Sequence, residues 1–229
     1  KFPVEKYKFV KGCVTKSGLE NAYVEMIQTR GMSPSFDRDP RKAVPKFMAF
    51  AIPFCWILKP ENLEEGLDVF VTSVTRIPPS SVDPTIKNYH WLDLVSGMFE
   101  AYDRGHQLGV LVDEKKNILE GPGFNIFALN KGVLYTPEKG VLKGVTRGAV
   151  IKLAKELEVP LSFSSISLDM FKSSLEIFAT STAGGIMPIT KINSKEVGSG
   201  KMGDVTRKLH SLYWEKHFDS NWSCSVKGV

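Results

Sequence analysis

Apolar and polar residues follow two rhythms along this chain, and the switches between them mark out its elements. Residues 4–16 place Val4, Tyr7, Val10, Cys13 and Val14 at helical spacing, with Ser17-Gly18 as a stop. Ala22–Arg30 is β-rich and partly alternating, which predicts a strand. The polar stretch Gly31–Pro45 contains Pro34, Pro40 and Pro45 and predicts a long loop, a length that often serves function. Two more strands are predicted at 47–58 and 69–76, separated by the acidic turn Glu61–Gly66. Three neighbouring strands after a helix predict a small α+β unit over residues 1–77.

The pattern changes at Ile77-Pro78-Pro79-Ser80-Ser81-Val82-Asp83-Pro84. Its three prolines stiffen the backbone and exclude a helix or central strand, so residues 78–84 are read as a linker. A helix is predicted over 89–104, with Leu92, Val95, Phe99 and Tyr102 on one face and Gly105 as terminator. Strands follow at 108–112, 125–129 and 133–136, then an amphipathic helix at 146–157. Strands at 161–165 and 176–180 flank a short helix at 168–171, and a last helix covers 204–217. Residues 85–229 thus predict a larger mixed α and β domain.

Composition narrows the function classes. A chain of 229 residues with 42% hydrophobic and 24% charged positions reads as a soluble globular protein. Its net charge is +5, but the basic residues are scattered and often neighbour acids, as in Asp113-Glu114-Lys115-Lys116. A nucleic-acid surface needs them clustered with aromatics, so none is expected. The apolar run 47–58 contains Pro53 and falls short of the ~20 residues that span a bilayer, so no membrane partner is expected. Cys13, Cys55 and Cys224 are far apart, form no CxxC pair and fit a reducing, cytoplasmic setting. The four histidines lack metal-ligand spacing, and no metal is expected. The chain opens on Lys1 without a signal-peptide pattern, which fits a piece of a longer protein.

Four places could carry chemistry, and each also has a plain reading. Lys87 could be a solvated lysine, or a nucleophile desolvated by Ile86, Tyr89 and Trp91. Glu120, before Gly121-Pro122-Gly123, could be a strand-end acid, or a buried carboxylate that needs a cationic partner. Gly144-Val145-Thr146 opens a helix, where Thr146 could cap it or the N–H groups could seat a phosphate. Thr180-Ser181-Thr182-Ala183-Gly184-Gly185 could be a flexible loop, or a second set of donors for the same anion. An amine, an acid able to pair a ring nitrogen and two phosphate-binding turns are the requirements of pyridoxal 5′-phosphate. No GxGxxG or Walker pattern competes with that reading.

The order of these motifs is specific. Ile86-Lys87-Asn88, Glu120-Gly121-Pro122-Gly123-Phe124-Asn125, Leu134-Tyr135-Thr136-Pro137, Gly140–Arg147 and Thr180–Pro188 resemble the fold-type IV pyridoxal-phosphate enzymes over most of residues 20–217. That group holds branched-chain and D-amino-acid aminotransferases, aminodeoxychorismate lyases and (R)-selective amine transaminases. Lys87–Trp91, Gly97–Gly105 and the Ala183–Pro188 turn look most like the last branch. The resemblance implies a two-domain α+β fold and a homodimer. It also implies transfer of an amino group from an amine or amino acid to a 2-oxo acid such as pyruvate. By the same resemblance, Lys87 joins the cofactor aldehyde and moves the substrate proton, Glu120 pairs the ring nitrogen, and Asn125 supports the ring. Leu142 packs on the ring face, while Gly144, Val145, Thr146, Ser181 and Thr182 hold the phosphate. Tyr23, Glu25, Trp91 and Ala183 line the substrate pocket, and Arg38 or Arg41 meets a substrate carboxylate. Members have a longer small domain, so its N-terminal part, with a phosphate-contacting arginine, is expected to precede residue 1.

Overall fold

A computed structural model describes residues 4–226 of the chain. They divide into two compact units, one reaching to Trp56 and joined by the residues from Ser223 on, the other spanning Ile57–Trp222.

The smaller unit is a helix on a hairpin. Helix α1 (Val4–Ser17) packs on β1 (Ala22–Met32) and β2 (Val44–Pro53), which pair antiparallel with Tyr23 opposite Ile52 and Glu25 opposite Phe50. Phe9 meets Phe47 edge to face at 5.8 Å, and the Cys13 thiol lies 3.5 Å from the Ala49 carbonyl.

The larger unit is built on one curled sheet. Its elements in chain order begin with β3 (Leu67–Thr75), α2 (Leu92–Asp103), β4 (Leu108–Val112), β5 (Asn117–Ile118), β6 (Glu120–Gly121), β7 (Phe124–Asn130) and β8 (Val133–Thr136). They continue with α3 (Val145–Glu156), β9 (Leu161–Phe163), β10 (Ile166–Ser167), α4 (Leu168–Lys172), β11 (Glu176–Ser181), β12 (Gly185–Ile192), β13 (Lys195–Glu196) and α5 (Asp204–Glu215). The strand order is β10-β5-β4-β3-β12-β11-β7-β8-β9, with β13 added to β12 and β6 to β7. The central strands are buried on both faces, which is why they read as continuous apolar runs. Ile126, Ala128, Ile177, Ala179 and Met187 enter one apolar cluster. Their neighbours Phe127, Phe178 and Ile186 enter another, with Val150, Leu153 and Ala154 of α3 and Leu209 of α5. Phe127 and Phe178, register partners on β7 and β11, stack at 5.0 Å.

Several expectations are corrected here. The strand at 67–75 does not join the hairpin; it runs parallel to both β12 and β4 inside the large sheet. The division therefore falls near Trp56 rather than at residues 78–84, and the 1–77 unit is too long. Leu67 and Val69 are buried in the larger core, so hydrophobic burial decides the strand's allegiance over sequence adjacency. The second strand stops at Pro53 instead of reaching residue 58. Helix α2 begins at Leu92 rather than 89 because the preceding N–H groups are taken by turns: His90 donates to Asn88 Oδ1 and Trp91 to the Tyr89 carbonyl.

Candidate active site

The sheet brings the distant motifs into one row. Glu120 is the register partner of Asn125 across β6 and β7, and Asn125 is the partner of Thr180 across β7 and β11. Residues far apart along the chain thereby sit side by side on adjacent strands. Beyond this row β7 continues into β8, and the chain returns through Leu142 to α3, whose start faces the same space. A cavity of about 330 Å³ opens there.

Lys87 reaches this cavity from the loop before α2. The loop is pinned on either side of the lysine by side chains that accept from backbone N–H groups two residues on. Asp83 Oδ1 accepts from the Thr85 N–H at 2.9 Å and its hydroxyl at 2.7 Å. Asn88 Oδ1 accepts from the His90 N–H at 2.8 Å, while its amide donates to the Ile86 carbonyl at 2.7 Å. Trp91 lines the same wall and is half-buried. The expected apolar shield is only partly there. Ile86 is 62% and Tyr89 69% exposed, and Lys87 itself is exposed, because the turns that fix the loop also hold those side chains outward.

Glu120 lies deep in the cavity and is 5% exposed. One oxygen, Oε2, accepts from the Leu142 N–H at 2.9 Å and the Asn125 amide at 3.2 Å. The other, Oε1, accepts two long contacts of 3.3 Å from Nε and Nη2 of Arg76. The remaining Arg76 nitrogen, Nη1, donates to Asp93 Oδ2 at 2.6 Å. Burial pushes the Glu120 carboxyl above its usual range, and the Leu142 N–H and Arg76 only partly oppose that. Sequence reasoning asked for a cationic partner here without finding it. Arg76 stands 44 residues upstream, and its only sequence signal was its place at the end of a strand before the proline segment. The Asn125 amide joins Glu120 to the Leu142 carbonyl at 2.8 Å, and so fixes both the carboxylate and Leu142.

The opposite end of the cavity is rich in donors. Gly144 caps α3 without a side-chain hydrogen bond, leaving the first N–H groups of that helix, from Val145 and Thr146, toward the cavity. A Cβ at Gly144 would stand 2.3 Å from Asn125 Oδ1, so only glycine lets the Asn125 amide close over the helix start. The Thr180 hydroxyl is buried (2% exposed), lies on the cavity wall and has no hydrogen-bond partner among the described residues. Ser181 is also buried, and its Oγ accepts from the Ala183 N–H at 3.1 Å, which leaves its proton to donate elsewhere. Thr182 is the exposed member of the wall. Arg147 is a second buried cation on the cavity, with Nε donating to Thr136 Oγ1 at 3.1 Å and Nη2 to the Pro137 carbonyl at 2.9 Å. Burial lowers its pKa, and the charge on Glu120 opposes that.

The expected substrate residues divide. Trp91 is on the cavity; Ala183 stands beside Thr182 and its carbonyl accepts from the Ile57 N–H at 2.8 Å. Tyr23 and Glu25 lie on β1 and Arg38 in the loop after it, all in the smaller unit. Arg41 is committed to Asp39 through three side-chain contacts of 2.9, 3.1 and 2.7 Å. Among the described residues no group of acids, histidines and cysteines could hold a metal ion, and no helix is long and apolar enough to cross a membrane.

Comparison with known proteins places this arrangement. The family described as amino-transferase class IV matches residues 8–192. The branched-chain-amino-acid aminotransferase of Escherichia coli (strain K12) is 31% identical over 224 residues, covering 93% of this chain and 72% of that protein. The crystal structure of an E. coli branched-chain amino acid aminotransferase superposes with a TM-score of 0.89 at 29% identity, over 97% of this chain and 76% of the other. A branched-chain aminotransferase from the thermophilic archaeon Thermoproteus uzoniensis, crystallised with norvaline, superposes with a TM-score of 0.86 at 28% identity, over 95% and 73%. The fold is that of the fold-type IV aminotransferases, and the chain belongs to the amino-transferase class IV family.

Proposed function

We propose that this aminotransferase binds pyridoxal 5′-phosphate in the cavity between Lys87, Glu120 and the start of α3, and exchanges an amino group between an amine or amino acid and a 2-oxo acid. The observation that carries the reading is the orphaned Thr180 hydroxyl beside an uncapped helix start, opposite a buried carboxylate. An unsatisfied buried hydroxyl costs about 1–3 kcal/mol, which a phosphate oxygen accepting from it would relieve. The Val145 and Thr146 N–H groups and the Ser181 hydroxyl supply further donors to the same anion. Glu120 would accept from the protonated ring nitrogen, with Asn125 and the Leu142 N–H holding that carboxylate in place, and Leu142 would pack on the ring.

When bound, the cofactor supplies the aldehyde and the electron sink that amino-group exchange requires. Lys87 Nζ would be the amine for that aldehyde and the base that takes and returns the proton of the donor carbon. Its exposure and the pinned loop give the ammonium room to swing while its Cα stays fixed. Trp91 and Thr182 line the part of the cavity where the donor would sit, with Ala183 next along the chain. Lys143 also lines the cavity and serves as the control lysine for this assignment.

For the donor, the motifs at Lys87–Trp91, Gly97–Gly105 and Ala183–Pro188 favour an (R)-configured amine with pyruvate as acceptor. The named relatives favour a second reading, in which the donor is a branched-chain amino acid. The test is to mix the protein with pyridoxal 5′-phosphate and offer (R)-1-phenylethylamine, its (S) form or leucine, with pyruvate or 2-oxoglutarate. Alanine formed from the (R)-amine alone supports the first reading, and glutamate formed from leucine replaces it with the second. Lys87→Ala should remove turnover by about a thousandfold or more, while Lys143→Ala keeps it. A protein that stays colourless with the cofactor sinks both readings.

A further inference from the structure

The contacts on Glu120 raise a question of capacity. A carboxylate has about four acceptor sites. Two on Oε2 are taken by Leu142 and Asn125, and the guanidinium of Arg76 addresses Oε1 twice. A ring nitrogen then has room only because the Arg76 contacts are long, at 3.3 Å each, well beyond the roughly 2.7–2.9 Å of a tight guanidinium–carboxylate pair. The short contact of that guanidinium, 2.6 Å, goes to Asp93.

Arg76 also lines a second cavity of about 550 Å³, bounded by Pro78, Pro79, Leu119, Phe163 and others, so part of its side chain meets open space. Asp93 is itself well anchored. It sits in the first turn of α2, Oδ2 accepts from the Ile77 N–H at 2.7 Å, and Oδ1 accepts from the Leu94 N–H at 2.8 Å. Arg76, Asp93 and Glu120 are all largely buried, with side-chain exposures of 10%, 13% and 6%.

We propose that Asp93 is a positioning residue for the ring-nitrogen site: by holding Nη1 of Arg76 it keeps the guanidinium off Glu120, so that Oε1 retains acceptor capacity and the three groups together keep one negative charge. Without the charge on Asp93, Arg76 closes onto Glu120 as a tight neutral pair and the ring nitrogen loses its acceptor. This rests on the cofactor reading above and names how the chain keeps that site open.

Asp93→Asn is the informative substitution, because its amide oxygen can still accept from the Ile77 N–H, at the cost of the Leu94 N–H contact, where the amide NH2 replaces Oδ1. The measurement is the dissociation constant of the protein for pyridoxal 5′-phosphate and for its 1-deaza analogue, which replaces the ring nitrogen by carbon. Wild-type protein should prefer the nitrogen compound, and in Asp93→Asn that preference should fall by about tenfold. Affinity for the analogue should barely move. Asp93→Glu should restore part of the preference. In a background of Arg76→Gln, Asp93→Asn should have little further effect on the ratio, since its route is gone. Equal loss of affinity for both compounds would make Asp93 a structural residue and overturn the proposal. An unchanged ratio would overturn it as well. Wild-type protein with no preference for the nitrogen compound would instead sink the cofactor reading on which it stands.

Discussion

The two ends of the cavity solve opposite problems with the same sheet. At the carboxylate end the charged groups find partners within the chain: Glu120 is held by Leu142, Asn125 and Arg76, and Arg76 by Asp93. At the hydroxyl end partners are missing: the Thr180 hydroxyl is buried and orphaned among the described residues, and the start of α3 is uncapped. The difference follows from what each end must do alone. A buried carboxylate without a counter-charge is too costly to keep, whereas an unsatisfied hydroxyl costs only about 1–3 kcal/mol. The first end is therefore prebuilt, and the second stores a modest penalty that a bound anion would relieve. Asn125 is the seam between them, since its amide nitrogen serves Glu120 while its oxygen lies over Gly144 at the helix start.

The strongest way to break this contrast is at Glu120. Glu120→Ala strands Arg76, the Leu142 N–H and the Asn125 amide together, and should destabilise the cofactor-free protein by about 3–5 kcal/mol. Glu120→Gln keeps the shape and should leave the fold, yet lower turnover by about a hundredfold or more through the lost charge. Thermal melting and steady-state rates separate the two. Equal stability of Glu120→Ala and wild type would show that this end is not a prebuilt network.

Much of this was legible in the sequence, and the limits have physical reasons. Lys87, Glu120, Gly144–Thr146 and Ser181-Thr182 all line one cavity, because each sits in a short motif whose backbone geometry is local. Arg76, Asp93 and Arg147 were missed as site residues, since their roles arise from side chains that meet across elements, where spacing along the chain carries no signal. The strand β12 was missed because Gly184-Gly185 and Pro188 read as turn residues. Pro188 is tolerated there because it lies one residue before the pairing with β3 begins at Ile189, where no donor is required on that side. The strand at 67–75 was given to the wrong unit because adjacency in sequence is a poor guide to which core buries it.

A second break acts on the seam. Gly144→Ala keeps an allowed backbone, but its Cβ at 2.3 Å from Asn125 Oδ1 must displace the amide. Both ends should suffer: about 1–3 kcal/mol of stability from the lost Asn125 bonds, and weaker binding of the cofactor. Pairing it with Asn125→Ala tests the cause, because the two effects should not add. Thr180→Val is the milder probe of the hydroxyl end alone. Removing an orphaned hydroxyl should leave the cofactor-free melting temperature unchanged or raise it, while cofactor affinity falls by about tenfold. Lower stability of Thr180→Val without cofactor would mean the hydroxyl is already satisfied, and the contrast between the ends would fail.

The smallest effect separates the two acids of the carboxylate end by the sign of their pH dependence. The charged groups facing Glu120 are Arg76, Asp93 of α2 and Arg147 of α3. Burial raises the Glu120 carboxyl above its ordinary 4.5 despite the Leu142 N–H and Arg76. A carboxyl raised on folding favours the folded state below its unfolded pKa and loses that advantage as pH rises through the folded value. For Asp93, burial pushes upward too, but the Ile77 N–H and Arg76 outweigh it and hold the carboxyl below 3.8. Its contribution is present above 3.8 and is lost as pH falls through the lowered folded value. Melting of the cofactor-free protein between about pH 3 and pH 7 reads both. Relative to wild type, Glu120→Gln should gain stability as pH rises from 4.5 through the raised value, and Asp93→Asn should lose it as pH rises toward 3.8. Matching profiles for the two variants would mean that Arg76 couples the carboxyls into one titrating unit, leaving no separate charge on Asp93 to hold the guanidinium back.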